Sequence, residues 1–79
     1  TQIEPSIFHV KAIMPKEDFN ERFATSYSEE EFDTIGGIVL QAFGHMPERG
    51  DQIQVADINF EVLNADSRRV RLLRVNISA

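Results

Sequence analysis

Asp33-Thr34-Ile35-Gly36-Gly37-Ile38-Val39-Leu40-Gln41-Ala42-Phe43-Gly44-His45-Met46-Pro47-Glu48-Arg49-Gly50 is the stretch from which the rest of the chain is placed. It reads as one helix with both ends marked. Asp33 or Thr34 can cap the start, because a short side-chain oxygen accepts from the first-turn N–H groups that have no partner within the helix. Gly44 stands where a left-handed residue ends a helix, and Pro47 follows three residues on. Between them Ile35, Ile38, Val39, Ala42 and Phe43 recur at helical period and predict one apolar face. The pair Gly36-Gly37 goes against this pattern, since each glycine costs a helix roughly 1 kcal/mol relative to alanine. Two benefits can offset that cost. One is close approach of another backbone, expected to be a strand across the helix start. The other is presentation of N–H groups to a phosphate or other anion, although Asp33 and the nearby Glu29, Glu30 and Glu31 would repel one.

Outward from this helix, the chain of 79 residues is expected to form one small domain, with 42% apolar residues and a net charge of −5. No uninterrupted apolar run is longer than that at Ile38-Val39-Leu40, far short of the roughly 20 residues of a membrane-spanning helix. There is no cysteine, which excludes disulfides and thiolate chemistry and fits a reducing, cytoplasmic setting. The first residue is Thr1 rather than Met, so the chain is expected to be a piece of a longer protein. The charge is uneven. Acids crowd the segment from Glu17 to Asp33, whereas Arg68, Arg69, Arg71 and Arg74 follow one another without an acid between them. The overall acidity argues against a dedicated nucleic-acid binder.

Residues 1–5 are expected as a linker and residues 6–79 as the domain. Residues 6–14, β-branched and aromatic, predict a strand with Phe8, Val10, Ala12 and Met14 on one face and Ile7, His9, Lys11 and Ile13 on the wetter one. Pro15, at the first helical position, opens a short helix over about residues 16–23. There Glu17 and Asp18 complement the dipole, and Phe19 and Phe23 must dock on the core. The loop from Ala24 to Phe32 is expected to be anchored by Tyr27 and Phe32, with a helical turn capped by Ser28. After the central helix, residues 52–55 and 58–63 alternate as strands joined at Ala56-Asp57, and Asp66-Ser67 marks a further turn. In the last strand, over residues 70–77, Val70 and Leu72 share one parity and Leu73, Val75 and Ile77 the other. Either both faces are covered or a bulge shifts the register near Arg71. The order β-α-α-β-β-β predicts an α+β two-layer sandwich, with helices over one face of an antiparallel sheet.

Candidate chemistry is sparse. His9 and His45 have no neighbour at ligand spacing. Glu29, Glu30, Glu31 and Asp33 can hold a hard cation through oxygen, but without the spacing of an EF-hand; a solvated acidic loop is the plainer reading. The four arginines can bind a phosphate or an acidic partner, or pair across strands with Glu61 and its neighbours. No serine lies in a GxSxG elbow. These residues point to a soluble accessory domain with no catalytic residue, no cofactor-binding residue and no metal ligand.

The central stretch, together with Gly44-His45-Met46-Pro47-Glu48-Arg49-Gly50-Asp51, resembles the signature of the CorC/HlyC transporter-associated domain family: D-T-(I/L)-G-G-hydrophobic, then G-x-(I/L/M)-P-x-x-G-(D/E), then strands. Glu17-Asp18-Phe19-Asn20-Glu21, Phe60-Glu61-Val62 and Arg68-Arg69-Val70 resemble further family positions, so the resemblance covers about residues 6–77. Lys11-Ala12 and Ala56-Asp57 depart from it where many members carry glycine. The resemblance implies a fold like a lobe of flavin-binding domains, placed after a pair of nucleotide-binding CBS domains in the same chain. It implies a non-catalytic regulatory or interaction role in magnesium and cobalt efflux, on the cytosolic side, with a membrane cation transporter and a homodimer as candidate partners. It carries over no catalytic, cofactor or metal residue, and a flavin enters by fold analogy alone. The alternative expectation is a small-ligand sensor for a nucleotide, flavin or other anion at Gly36-Gly37 or at the arginine strand. A third is Mg²⁺ or Co²⁺ held by the acidic loop.

Overall fold

The computed structural model describes residues 2–4, 6–28 and 31–77. Its elements are β1 (Gln2–Glu4), β2 (Ile7–Lys11), α1 (Lys16–Phe23), α2 (Ile35–Phe43), β3 (Gln52–Val55), β4 (Ile58–Ala65) and β5 (Val70–Asn76). The strands form one antiparallel sheet in the order β1-β2-β5-β4-β3. β3, β4 and β5 make the expected meander. β2 lies against β5, so the two helices carry the chain from β2 to the far edge at β3. One side of the sheet supplies Val10, Phe60, Val62, Leu73 and Val75 to the core, and the helices supply Phe19, Ile35, Ile38 and Val39. This is the expected α+β two-layer sandwich.

Residues 2–4 correct the linker expected over residues 1–5. They form β1 and pair with β2 through an irregular register. Three residues carry no readable period, whereas the open edge of β2 offers backbone groups that a reversing segment can pair with. The element order is therefore β-β-α-α-β-β-β. β2 is also shorter than expected. The N–H of Met14 donates to the carbonyl of Lys11 at 3.0 Å and closes a turn over residues 12–14.

Both helices fall where the sequence places them. Pro15 is the cap of α1 rather than its first residue, with ψ of 142°, and Phe19 is fully buried. Phe23 lies 4.5 Å from Phe19 between ring centroids. Asn20 ties the following loop back to α1. Its Nδ2 donates to Tyr27 O at 2.8 Å, and its Oδ1 accepts from Tyr27 N and Thr25 Oγ1. Tyr27 is buried and donates its hydroxyl to Val55 O at 2.8 Å, and Phe32 packs against the core, so both expected anchors hold. The helical turn expected from Ser28 falls partly on residues 29 and 30, outside the described residues.

α2 is capped by Thr34, whose side chain accepts from Gly37 N, and it ends at Gly44 with φ of 76°. Ala42, expected on the apolar face, is exposed; in the last turn the strip in contact with the core narrows to the half-buried Phe43. In the turn that follows, Pro47 is buried and Asp51 Oδ2 accepts from Glu48 N at 2.9 Å. The N–H of Gly50 and the carbonyl of Asp51 then bond to Val62 at 2.7 and 2.8 Å, which stitches the turn to β4.

The mixed parity of the last strand comes from a bulge. Against β4, the β5 pairing steps from Leu72 to Val70, passing over Arg71, and β4 in turn steps from Val62 to Asn64. Val70, Leu73 and Val75 thus all face inward although their spacing is not uniform.

Candidate functional site

The close approach expected at the glycine pair belongs to Gly36. A Cβ there would lie 2.6 Å from the Cβ of Ala12 and 2.8 Å from its carbonyl oxygen. Gly37 faces Phe32 instead, with the ring 2.9 Å from the same hypothetical atom. Every N–H that opens α2 is engaged. Ile35 donates to Met14 O at 3.0 Å, Gly36 to Ala12 O at 2.9 Å, Gly37 to Thr34 Oγ1 at 3.2 Å, and Ile38 to Thr34 O at 3.3 Å. A helix start holds a phosphate through unpaired N–H groups, and this one has none to offer. The glycine pair is a joint between α2 and the end of β2.

The other candidates do not converge. His9 is half-buried on β2; His45 is exposed beyond α2, with Nδ1 3.2 Å from Met46 O. Glu29 and Glu30 lie outside the described residues. Among the described residues no group of three or more His, Cys, Asp or Glu side chains stands at metal-holding distances.

The arginines divide into two kinds. Arg74 pairs across strands with Glu61 at 3.4 Å, as the pairing reading expects. Arg71 pairs with Asp66 at 2.8 Å. Asp66 organises the β4–β5 turn. Its Oδ1 accepts from the N–H groups of Arg68 and Arg69, at 2.8 and 2.9 Å, and its Oδ2 from Arg71 Nε. The backbone donors of Arg68 and Arg69 first, and the Arg71 guanidinium after them, lower its pKa from 3.8 to about 2. The side chains of Arg68 and Arg69 are exposed and, among the described residues, in no ion pair.

Around Arg69 lies the feature that the sequence reading did not single out. Ile13, in the turn after β2, is 64% exposed, the one large hydrophobic side chain so exposed among the described residues. A cleft of about 410 Å³ runs on one side of it, lined by Lys11, Ile13, Arg69, Val70, Arg71 and Leu72. A smaller cleft on the other side shares Ile13, Arg69 and Val70 and runs on to Gly36 and Leu40 of α2. The strand parity had already placed Ile13 and Lys11 on the wetter face. Only the pairing of β2 with β5 brings the arginine turn beside them.

The fold and the motif residues together define a transporter-associated domain, and the family model of that description, CorC_HlyC, matches residues 1–79. The chain belongs to the CorC/HlyC transporter-associated domain family. It is 50% identical over 76 residues to the magnesium and cobalt efflux protein CorC of Vibrio cholerae, covering 96% of this chain and 26% of that protein. The Escherichia coli K12 protein of the same name is 49% identical over 76 residues, again with 26% of its length covered. The chain thus spans about a quarter of the curated relatives it matches. A solved Neisseria meningitidis MC58 structure, described as a candidate Mg²⁺ and Co²⁺ transporter (CorC) associated region, superposes with a TM-score of 0.90. It is 39% identical, with 95% of this chain and 93% of that one covered.

Proposed function

We propose that this domain is a non-catalytic regulatory and interaction module of a magnesium and cobalt efflux protein. The observation that carries the reading is the match to the CorC efflux proteins along nearly the whole chain, at about half identity, while the chain accounts for only a quarter of their length. A module of that size acts on or through the rest of such a protein. The same reading puts a CBS domain pair in the same polypeptide, a membrane cation transporter among its partners, and the domain on the cytosolic side. No helix among the described residues is long and apolar enough to cross a membrane.

The engaged N–H groups at Gly36-Gly37 favour this reading over a small-ligand sensor at that helix start. The test is cobalt and magnesium tolerance in cells that lack the full-length protein. They are complemented with the intact protein, with the protein lacking residues 1–79 of this chain, or with this chain alone. The truncated protein is expected to show altered tolerance and the isolated domain to confer none. Equal tolerance in all three would remove the proposal. Calorimetry of the isolated chain with ATP, AMP and FAD is expected to show no binding heat, and a saturable signal would favour the sensor.

A further inference from the structure

The two clefts around Ile13 are the one place where an exposed apolar side chain, concave surface and unpaired cationic side chains meet among the described residues. Lys11 and Arg69 line the first cleft and are in no ion pair among the described residues; Arg68 adjoins them in the same turn. Asp66, the nearest acid in that turn, is already engaged by Arg71 and by two backbone N–H groups. This end of an otherwise acidic domain is therefore locally basic around an apolar knob.

We propose that the Lys11–Ile13–Arg69 surface is a docking site for an acidic polypeptide segment whose apolar side chains seat in the clefts on either side of Ile13. The inference deepens the interaction role proposed above and rests on it. Charge complementarity selects the occupant. Exposed cations in no ion pair attract carboxylates without first breaking an internal pair, and the apolar cleft walls formed by Val70, Leu72 and Leu40 suit the anchors of a peptide. A bilayer surface needs a broad apolar face, and Ile13 is the one large hydrophobic side chain exposed among the residues whose burial is described. A nucleic acid needs stacking platforms, and no aromatic side chain lines either cleft. The net charge of −5 also disfavours a polyanionic lattice of phosphates.

The test titrates the isotopically labelled 79-residue chain with the synthetic peptide EELLEELLE and follows backbone amide shifts by NMR. In parallel it uses the charge-reversed peptide KKLLKKLLK and vesicles of phosphatidylcholine and phosphatidylserine. Shifts are expected with the acidic peptide alone, at the amides around Lys11–Ile13, Gly36–Leu40 and Arg69–Leu72. Affinity should fall about fivefold or more in Arg69→Glu and in Ile13→Ser, and also on raising salt. Both side chains are exposed, so both variants should melt within a few degrees of the parent. Absent shifts, shifts elsewhere, equal shifts with the basic peptide, or tighter binding to vesicles would each overturn the proposal. In cells, Arg69→Glu in the full-length protein should reproduce part of the effect of deleting the domain. If the deletion alters cation tolerance and Arg69→Glu leaves it unchanged, this surface is wrong and the module reading stands. If the deletion itself has no effect, the module reading fails first.

Discussion

Gly36 shows what a single missing Cβ permits. With a hydrogen in that place, the helix start lies against Ala12 closely enough for the Gly36 N–H to reach its carbonyl. Gly36→Ala is expected to lower stability by about 2–3 kcal/mol, because the added atom meets backbone that cannot move alone. Gly37→Val should cost about 1–3 kcal/mol through Phe32, and Gly37→Ala much less, since a phenyl ring can shift and alanine favours the helix. Urea melts of the three variants decide the order, and equal losses for Gly36→Ala and Gly37→Ala would contradict it. The opposite change applies at Ala24 and Ala56, non-glycine residues with φ of 54° and 56°. That region costs an L-residue about 1–2 kcal/mol, partly offset by the greater chain entropy of unfolded glycine. Ala24→Gly and Ala56→Gly should each raise stability by about 0.5–1 kcal/mol, or a few degrees in Tm.

At the level of elements, the β4–β5 turn is held by one carboxylate. Asp66 titrates near 2 in the folded chain against 3.8 as its ordinary value. A depressed pKa means that the charged form is stabilised by folding. Its contribution is complete above about pH 4 and is lost as the pH falls toward 2. Asp66→Asn keeps an oxygen for the Arg68 and Arg69 N–H groups but cannot titrate. The variant is expected to be less stable at neutral pH and to show a flatter stability profile between about pH 4 and 2, as read by thermal melts across that range. An unchanged acid limb would mean that other carboxylates set it. The bulge at Arg71 works with this turn. It lets Val70 face the core while the Arg71 side chain reaches back to Asp66.

For the molecule as a whole, the two edges of the sheet matter most. β1 covers β2 on one side, and β3 is open on the other. The buried core residues whose side chains are described, from Val10 to Val75, all lie beyond residues 1–5. Deleting residues 1–5 should therefore leave a folded chain, weakened by about 1–2 kcal/mol in lost strand pairing. It should also expose the β2 edge to pairing with a second copy. Sedimentation should show more self-association than the parent at the same concentration. A truncated chain that stays equally monomeric would show that the β2 edge is protected by other means.

Local chemistry accounts for most of the elements. Thr34 and Gly44 bound α2, Phe19 and Phe23 define the face of α1, and the alternation of Ile58, Phe60 and Val62 faces β4 inward, because caps and periods act over a few residues. The family motifs were equally legible, and the structure shows many of them to be joints of the fold. Gly36 meets Ala12, Asn20 holds Tyr27, and Asp51 closes the turn before β3. Folding alone settled the matters that depend on distant partners. The strand at residues 2–4 exists because β2 has an edge to cover, and the Arg71 bulge because β4 and β5 must keep their inward faces aligned. The basic cleft exists because β2 and β5, some sixty residues apart in the chain, pair as neighbours and set Lys11 and Ile13 beside Arg69. A sequence records the period of each segment; which segments become neighbours is decided by how the sheet buries its apolar face.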